Sequence, residues 1–235
     1  MTPILLIAAN YLREQRWPAI GLFAYGIGNA LAFGAVGGPV AIEDVYFYIR
    51  QQALFAALFA TFLAAAAVHN DRRSRRILAV LSKAIHRGEY LAGLFLGLAA
   101  VMAAYCAVVA LSSLWLAGQT QLTIVSAVAA VAIAWIASLA VICVALFFST
   151  FLNPFFTTAA TAAAIMLPAL WVHTAVHPAL WLSPPYYLLS GIALSPTFTF
   201  AGTVTAVVLA AIYGACFFVL ATVLFSRRDV AIAIE

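Results

Sequence analysis

From Tyr90 to Ser226 the chain contains no Asp, Glu, Lys or Arg. No water-soluble fold accommodates so long an uncharged run, because the surface of a soluble domain keeps about a quarter of all residues charged. Here 8% of the residues are charged, 67% are hydrophobic and the mean hydropathy is +1.12. A lipid bilayer is the solvent that such a composition requires, and the 235 residues read as a single transmembrane domain, 1–235.

A membrane-crossing helix needs about 20 mainly apolar residues to traverse about 30 Å of hydrocarbon. Six stretches meet that requirement, near 18–37, 51–69, 90–117, 122–149, 155–177 and 199–225. They are separated by Gly37-Gly38-Pro39, by the charged segment 70–89, by Gly118-Gln119, by Asn153-Pro154 and by the Pro-rich segment 178–196. The expectation is an all-α integral membrane protein with six transmembrane helices.

Cations set the orientation, since short loops rich in Lys and Arg stay on the cytoplasmic side. With both termini inside, every basic residue except Arg50 is cytoplasmic. The expected address is the cell inner (cytoplasmic) membrane, multi-pass. The apolar start Pro3–Ala9 is too short for a signal peptide and runs into Arg13, Glu14 and Arg16 without a cleavage site. Cys106, Cys143 and Cys216 are odd in number and lie within apolar runs, so they read as small buried hydrophobes.

Two apolar segments are not spans. Ile4, Ile7, Ala8, Tyr11 and Leu12 recur with helical spacing while Asn10, Arg13 and Glu14 occupy the other side, which predicts an amphipathic interfacial helix over 1–17 ended by Trp17-Pro18. The segment 178–198 is uncharged but broken by Pro178, Pro184, Pro185 and Pro196, and reads as a short re-entrant hairpin in the outer leaflet.

Chemistry-bearing residues narrow the function. Ion-coupled transporters place ionisable groups inside the membrane, and the last four spans have none. A phosphate-cradling loop needs a Gly-Lys pair, but the only lysine, Lys83, follows Ser82. The chain therefore holds no nucleotide site or cofactor of its own. His173 and His177, four apart beside Trp171 and Trp181, suit a membrane boundary as well as a metal, and no metal site is expected. His69 and His86 fall at the opposite side, away from any haem pairing with them. Ser190-Gly191 superficially suggests an intramembrane protease, without the surrounding motif that would bring a base to the serine. No catalytic residue is expected.

The segment Asp71–Tyr90 carries the densest charge. Arg72, Arg76, Lys83 and Arg87 fit one helical face, and Ile77, Leu78, Leu81 and Ile85 another. On pattern alone this is a basic helix for anionic lipid. Together with the N-terminal amphipathic helix and the six spans, however, it resembles the permease subunit of type-2 ABC exporters. The likeness rests on Asp71-Arg72-Arg73, Val80-Leu81-Ser82, Arg87-Gly88 and Gly93 with Gly97 at the start of the third span. It continues in Leu182-Ser183-Pro184 with Tyr186-Tyr187, and in Phe225 to Asp229 at the C-terminal end. Arg75-Arg76 stand where the family usually has Gly-Thr, and Ala84 where it has Pro.

That resemblance implies a cytoplasmic coupling helix within 70–89 that seats in a separate ATPase subunit, with ATP and Mg held on that partner. The coupling residues would be Asp71, Arg72, Arg73, Arg76, Leu81, Ser82, Lys83 and Arg87. It also implies a permease homodimer enclosing a substrate path, for which Tyr25, Asn29 and Phe33 on the first span are candidates. Gly26, Ala30 and Gly34, with Gly38, form a small-residue stripe that admits a close neighbour, either within one protomer or from a second. An uncharged interior suits an amphipathic or hydrophobic substrate. An alternative role is to pass ATP-driven motion to an extracytoplasmic partner. Nucleic acid is not an expected partner.

Overall fold

The computed structural model describes residues 2–35, 40–73, 86–120, 122–170, 183–191 and 200–227. Within them the chain is all-α. The helices are α1 (Pro3–Glu14), α2 (Arg16–Ala35), α3 (Ile42–Arg73), α4 (Arg87–Ala117), α5 (Ile124–Ser149), α6 (Pro154–Leu170), α7 (Pro184–Gly191) and α8 (Phe200–Arg227). Five of these, α2, α3, α4, α5 and α8, are long and apolar enough to cross a membrane, which makes this a multi-pass membrane protein. Within α6, the apolar stretch Pro154–Leu167 is shorter. The expected fifth span ran to 177, and its last part lies outside the described residues.

Local chemistry explains where the helices begin and stop. Thr123 caps α5 by accepting the Ser126 N–H. Thr150 and Asn153 then turn the chain: the Thr150 hydroxyl donates to the Phe147 carbonyl, and Asn153 Oδ1 accepts the Phe156 N–H at 3.0 Å. Pro154 at the first position of α6 loses nothing by lacking an N–H, because that donor would have had no helical partner.

The core is organised around α5, which packs against α3, α4, α6, α7 and α8. Its contact faces are rich in alanine: Ala127, Ala134, Ala137, Ala140 and Ala145 are all buried, beside larger residues such as Val131, Ile142 and Leu146. In a bilayer the helices gain little by leaving lipid for one another, so close backbone approach and dispersion must hold them. At the crossing with α8, a β-carbon on Gly214 would come within 3.3 Å of the Ala140 α-carbon. The α1 and α2 helices instead rest on α4.

Two expectations about boundaries are corrected. The stretch 38–50 between the first two expected spans, which from its charges reads as an outer loop, is helical from Ile42, so Glu43, Asp44 and Arg50 belong to α3. The cause is local: Asp44 accepts the Ala41 N–H at 2.9 Å, and both acids lie in the first turn, where they complement the helix dipole. Trp17-Pro18 does not terminate the amphipathic helix. The chain breaks at Gln15, and Pro18 is tolerated in the first turn of α2. Of the outer hairpin over 178–198 only 183–191 is described, and there the buried Ser183 hydroxyl donates to the Ile165 carbonyl of α6 at 2.9 Å.

Candidate functional site

Two regions gather the residues singled out in the sequence. The first is the cationic end of the bundle, where α3 ends, α4 begins and α8 ends. Asp71, in the last turn of α3, accepts the Tyr90 hydroxyl at 2.6 Å. Tyr90 is itself buried and stacks on Phe225 of α8 with ring centroids 5.9 Å apart. Arg87 donates from Nη1 to the carbonyls of Phe225 and Ser226 at 3.1 and 3.0 Å. Terminal carbonyls of a helix have no intrahelical donor, and a cation there also meets the negative end of the dipole. Glu89 closes the start of α4 by accepting the His86 N–H at 3.2 Å.

The resemblance assigns Asp71 and Arg87 to ATPase docking, whereas in the fold both side chains are bonded within the bundle. They flank the segment 74–85, one on each side. Arg72 and Arg73 close α3. Arg76, Leu81, Ser82 and Lys83 lie outside the described residues, as do His173 and His177. Ser190 belongs to α7. Among the described residues no cluster of three His, Cys, Asp or Glu side chains is placed to hold a metal ion.

The amphipathic α1 joins this end through two glycines. A β-carbon at Gly93 would sit 2.7 Å from Ile7 Cβ, and one at Gly97 would sit 2.8 Å from Tyr11 Cδ1. The predicted inner face of α1 is thus Ile4, Ile7, Ala8 and Tyr11, while Leu12 is exposed together with Leu5 and Leu6. Tyr11 reaches past α4 to donate to the Leu63 carbonyl of α3 at 3.3 Å. Burial, with Asp71 and Glu14 nearby, pushes its phenol well above the ordinary value, so it stays a neutral donor.

The second region lies between α2 and α3. The stripe Gly26, Ala30 and Gly34 faces α4 of the same chain: a β-carbon on Gly26 would lie 3.3 Å from Tyr105 Cε2, and one on Gly34 would overlap the Trp115 ring. Pressing α2 against α4 turns Tyr25, Asn29 and Phe33 toward α3. Tyr25 meets Phe55 edge to face at 4.7 Å, and Phe33 meets Tyr48 at 5.7 Å and Phe47 at 6.1 Å. Tyr48 donates to the Gly26 carbonyl at 3.2 Å. Beneath them, Tyr105 of α4 donates to Gln52 Oε1 at 2.5 Å, and Gln52 is 1% exposed.

Three buried polar atoms here have no hydrogen-bond partner: Asn29 Nδ2, Gln51 Oε1 and Gln52 Nε2. Sequence reasoning selected Tyr25, Asn29 and Phe33 but not Gln51, Gln52, Tyr48 or Tyr105. Two adjacent glutamines at the head of an apolar run were the available signal; the tyrosines gave none. No family model and no curated protein matches this chain, so its functional reading rests on its residues and their geometry.

Proposed function

We propose that the protein is the permease subunit of an ATP-driven exporter of the type-2 ABC kind, powered by a separate cytoplasmic ATPase and carrying an amphipathic substrate. The observation that supports this reading most is the bracketing of 74–85. Asp71 before it is bonded to Tyr90, and Arg87 after it is bonded to the end of α8. A push on that loop from a docked subunit would be delivered to α3, α4 and α8 at once, and through Gly93 and Gly97 to α1. A loop that only touched lipid would not need such anchoring.

In this reading α6 and the residues after it complete a sixth span, both termini are cytoplasmic, and the membrane is the cell's inner one. Ten cations then face the anionic inner leaflet. The permease pairs with a second copy. Since Gly26 and Gly34 are occupied by α4, the face of α2 open to a partner carries Gly21 and Gly28, whose β-carbons would meet nothing within 4 Å. No catalytic or cofactor-binding residue is proposed in this chain.

The test is copurification of an ATPase from the native membrane with tagged permease. Reversing Arg72, Arg76 and Lys83 to Glu, which leaves the Asp71 and Arg87 bonds in place, is expected to abolish association while the permease still inserts. Undiminished association in that variant would remove the docking assignment.

A further inference from the structure

The unpartnered amides between α2 and α3 form one level. Asn29 stands four residues beyond Tyr25 and four before Phe33, while Gln51 stands four before Phe55 and four beyond Phe47. Tyr25 packs on Phe55 and Phe33 on Phe47, so the antiparallel helices bring Asn29 opposite Gln51. Gln52 adjoins at the same height, held by Tyr105 and offering its remaining N–H groups. The rung therefore presents two donors, Asn29 Nδ2 and Gln52 Nε2, and one acceptor, Gln51 Oε1, with aromatic pairs one turn to either side.

A buried polar atom without a partner costs about 1–3 kcal/mol, and three within one rung is a concentration that native packing avoids. The chain supplies their partners nowhere among its described residues. What would fill the rung must both accept and donate hydrogen bonds, as a hydroxyl does. It must also be uncharged. Between Trp17 and Ala35 on α2, and between Tyr90 and Ala117 on α4, there is no ionisable Asp, Glu, Lys or Arg to balance a charge, and Glu43, Asp44 and Arg50 on α3 are exposed. Burying an unbalanced ion costs several kcal/mol. The flanking rings of Tyr25, Phe33 and Phe55, each partly exposed, offer flat apolar surface to the C–H face of a ring-shaped polyol. Phe47, 57% exposed, leaves the same groove bordered by an apolar surface where an acyl chain can lie.

We infer that the groove between α2 and α3 binds the uncharged, hydroxyl-bearing headgroup of a lipid-like amphiphile, a glycosyl lipid being the simplest, through Asn29, Gln51 and Gln52. This rests on the exporter reading for its meaning, since such a molecule would be the cargo, but not for its test. The chain alone, in phosphatidylcholine nanodiscs, is offered glucosyl-diacylglycerol, phosphatidylglycerol with the same acyl chains, or free glucose, and bound molecules are measured by native mass spectrometry.

The unaltered protein is expected to prefer the glycolipid over phosphatidylglycerol by about tenfold, the order of one or two hydrogen bonds, and to bind free glucose undetectably. Asn29→Leu and Gln51→Leu should each erase most of that preference. Because each removes an amide that is unpaired without ligand, neither should lower the thermal midpoint in glycolipid-free discs. Preference for glycolipid surviving in both variants overturns the inference, as does equal binding of phosphatidylglycerol. Free glucose competing as well as the lipid would make the site one for a soluble solute. A lowered midpoint in both variants, with no preference in the unaltered chain, would mean that the two amides simply bond each other. No ATPase is present, so failure here leaves the docking test intact, and the reverse also holds.

Discussion

The cationic end and the α2–α3 groove are built from the same kinds of residue, tyrosines beside polar side chains, yet they differ in how those groups are satisfied. At the cationic end the polar groups named are matched: Tyr90 with Asp71, Arg87 with two terminal carbonyls, Glu89 with an N–H. In the groove, Tyr105 and Tyr48 find partners but three amide atoms do not. A matched network has one low-energy arrangement, whereas an unmatched one is improved by anything that supplies the missing partner. The first region therefore holds helices in fixed relation, and the second keeps hydrogen-bonding capacity that the described residues leave unused.

The sharpest way to break the matched end is through the seam that α1 makes with α4. Gly97→Leu drives a branched side chain into Tyr11, and overpacking costs about 1–3 kcal/mol. The expected outcome is detachment of α1, measured as protease cleavage near Gln15 in a protein whose other helices stay protected; unchanged protection of α1 would contradict the packing. Arg87→Gln comes next. It removes a charged donor from α8, with an expected loss of about 1–2 kcal/mol, tempered because Arg87 is only partly buried. Hydrogen exchange should quicken over 220–227 and hardly at all in α5.

Tyr90→Phe should cost about 1 kcal/mol, since it keeps the ring on Phe225 but leaves Asp71 one donor short. The groove supplies the contrast: Tyr105→Phe orphans Gln52 Oε1, and adding Gln52→Leu should recover most of the lost thermal stability. The smallest effect concerns pH. The Tyr11 phenol titrates higher in the fold than its ordinary value of 10.0. Its contribution is thus complete below pH 10 and is lost as the pH rises through the folded value. Above pH 10 the unaltered protein should lose stability relative to Tyr11→Phe; parallel pH curves would show that the phenol is not buried.

Hydropathy made the helical class and most span positions legible, because the bilayer imposes one rule along the whole chain. It failed where a charge pattern normally marks a loop. Glu43, Asp44 and Arg50 looked like a loop, yet the acids favour a helix start and so extend α3 outward. Small-residue spacing located Gly26 and Gly34 as contact points, and the resemblance singled out Gly93 and Gly97, but neither gave their partners, which are Tyr105, Trp115, Ile7 and Tyr11. Periodicity states which face is smooth and says nothing of what lies against it. That Asn29 falls level with Gln51 follows from the mutual register of α2 and α3, a quantity that no single segment encodes.

The alanine-rich α5 has one more consequence. Helices lock when long side chains interdigitate, and a shift then requires every rotamer in the seam to change. Ala127, Ala134, Ala137, Ala140 and Ala145 raise only low ridges, so along those stretches a shift of α3 or α8 would reset few rotamers, whereas the interlocked rings of Phe147 and Phe217 fix the seam with α8. The α5 seam is therefore smooth along its alanines and keyed at Phe147.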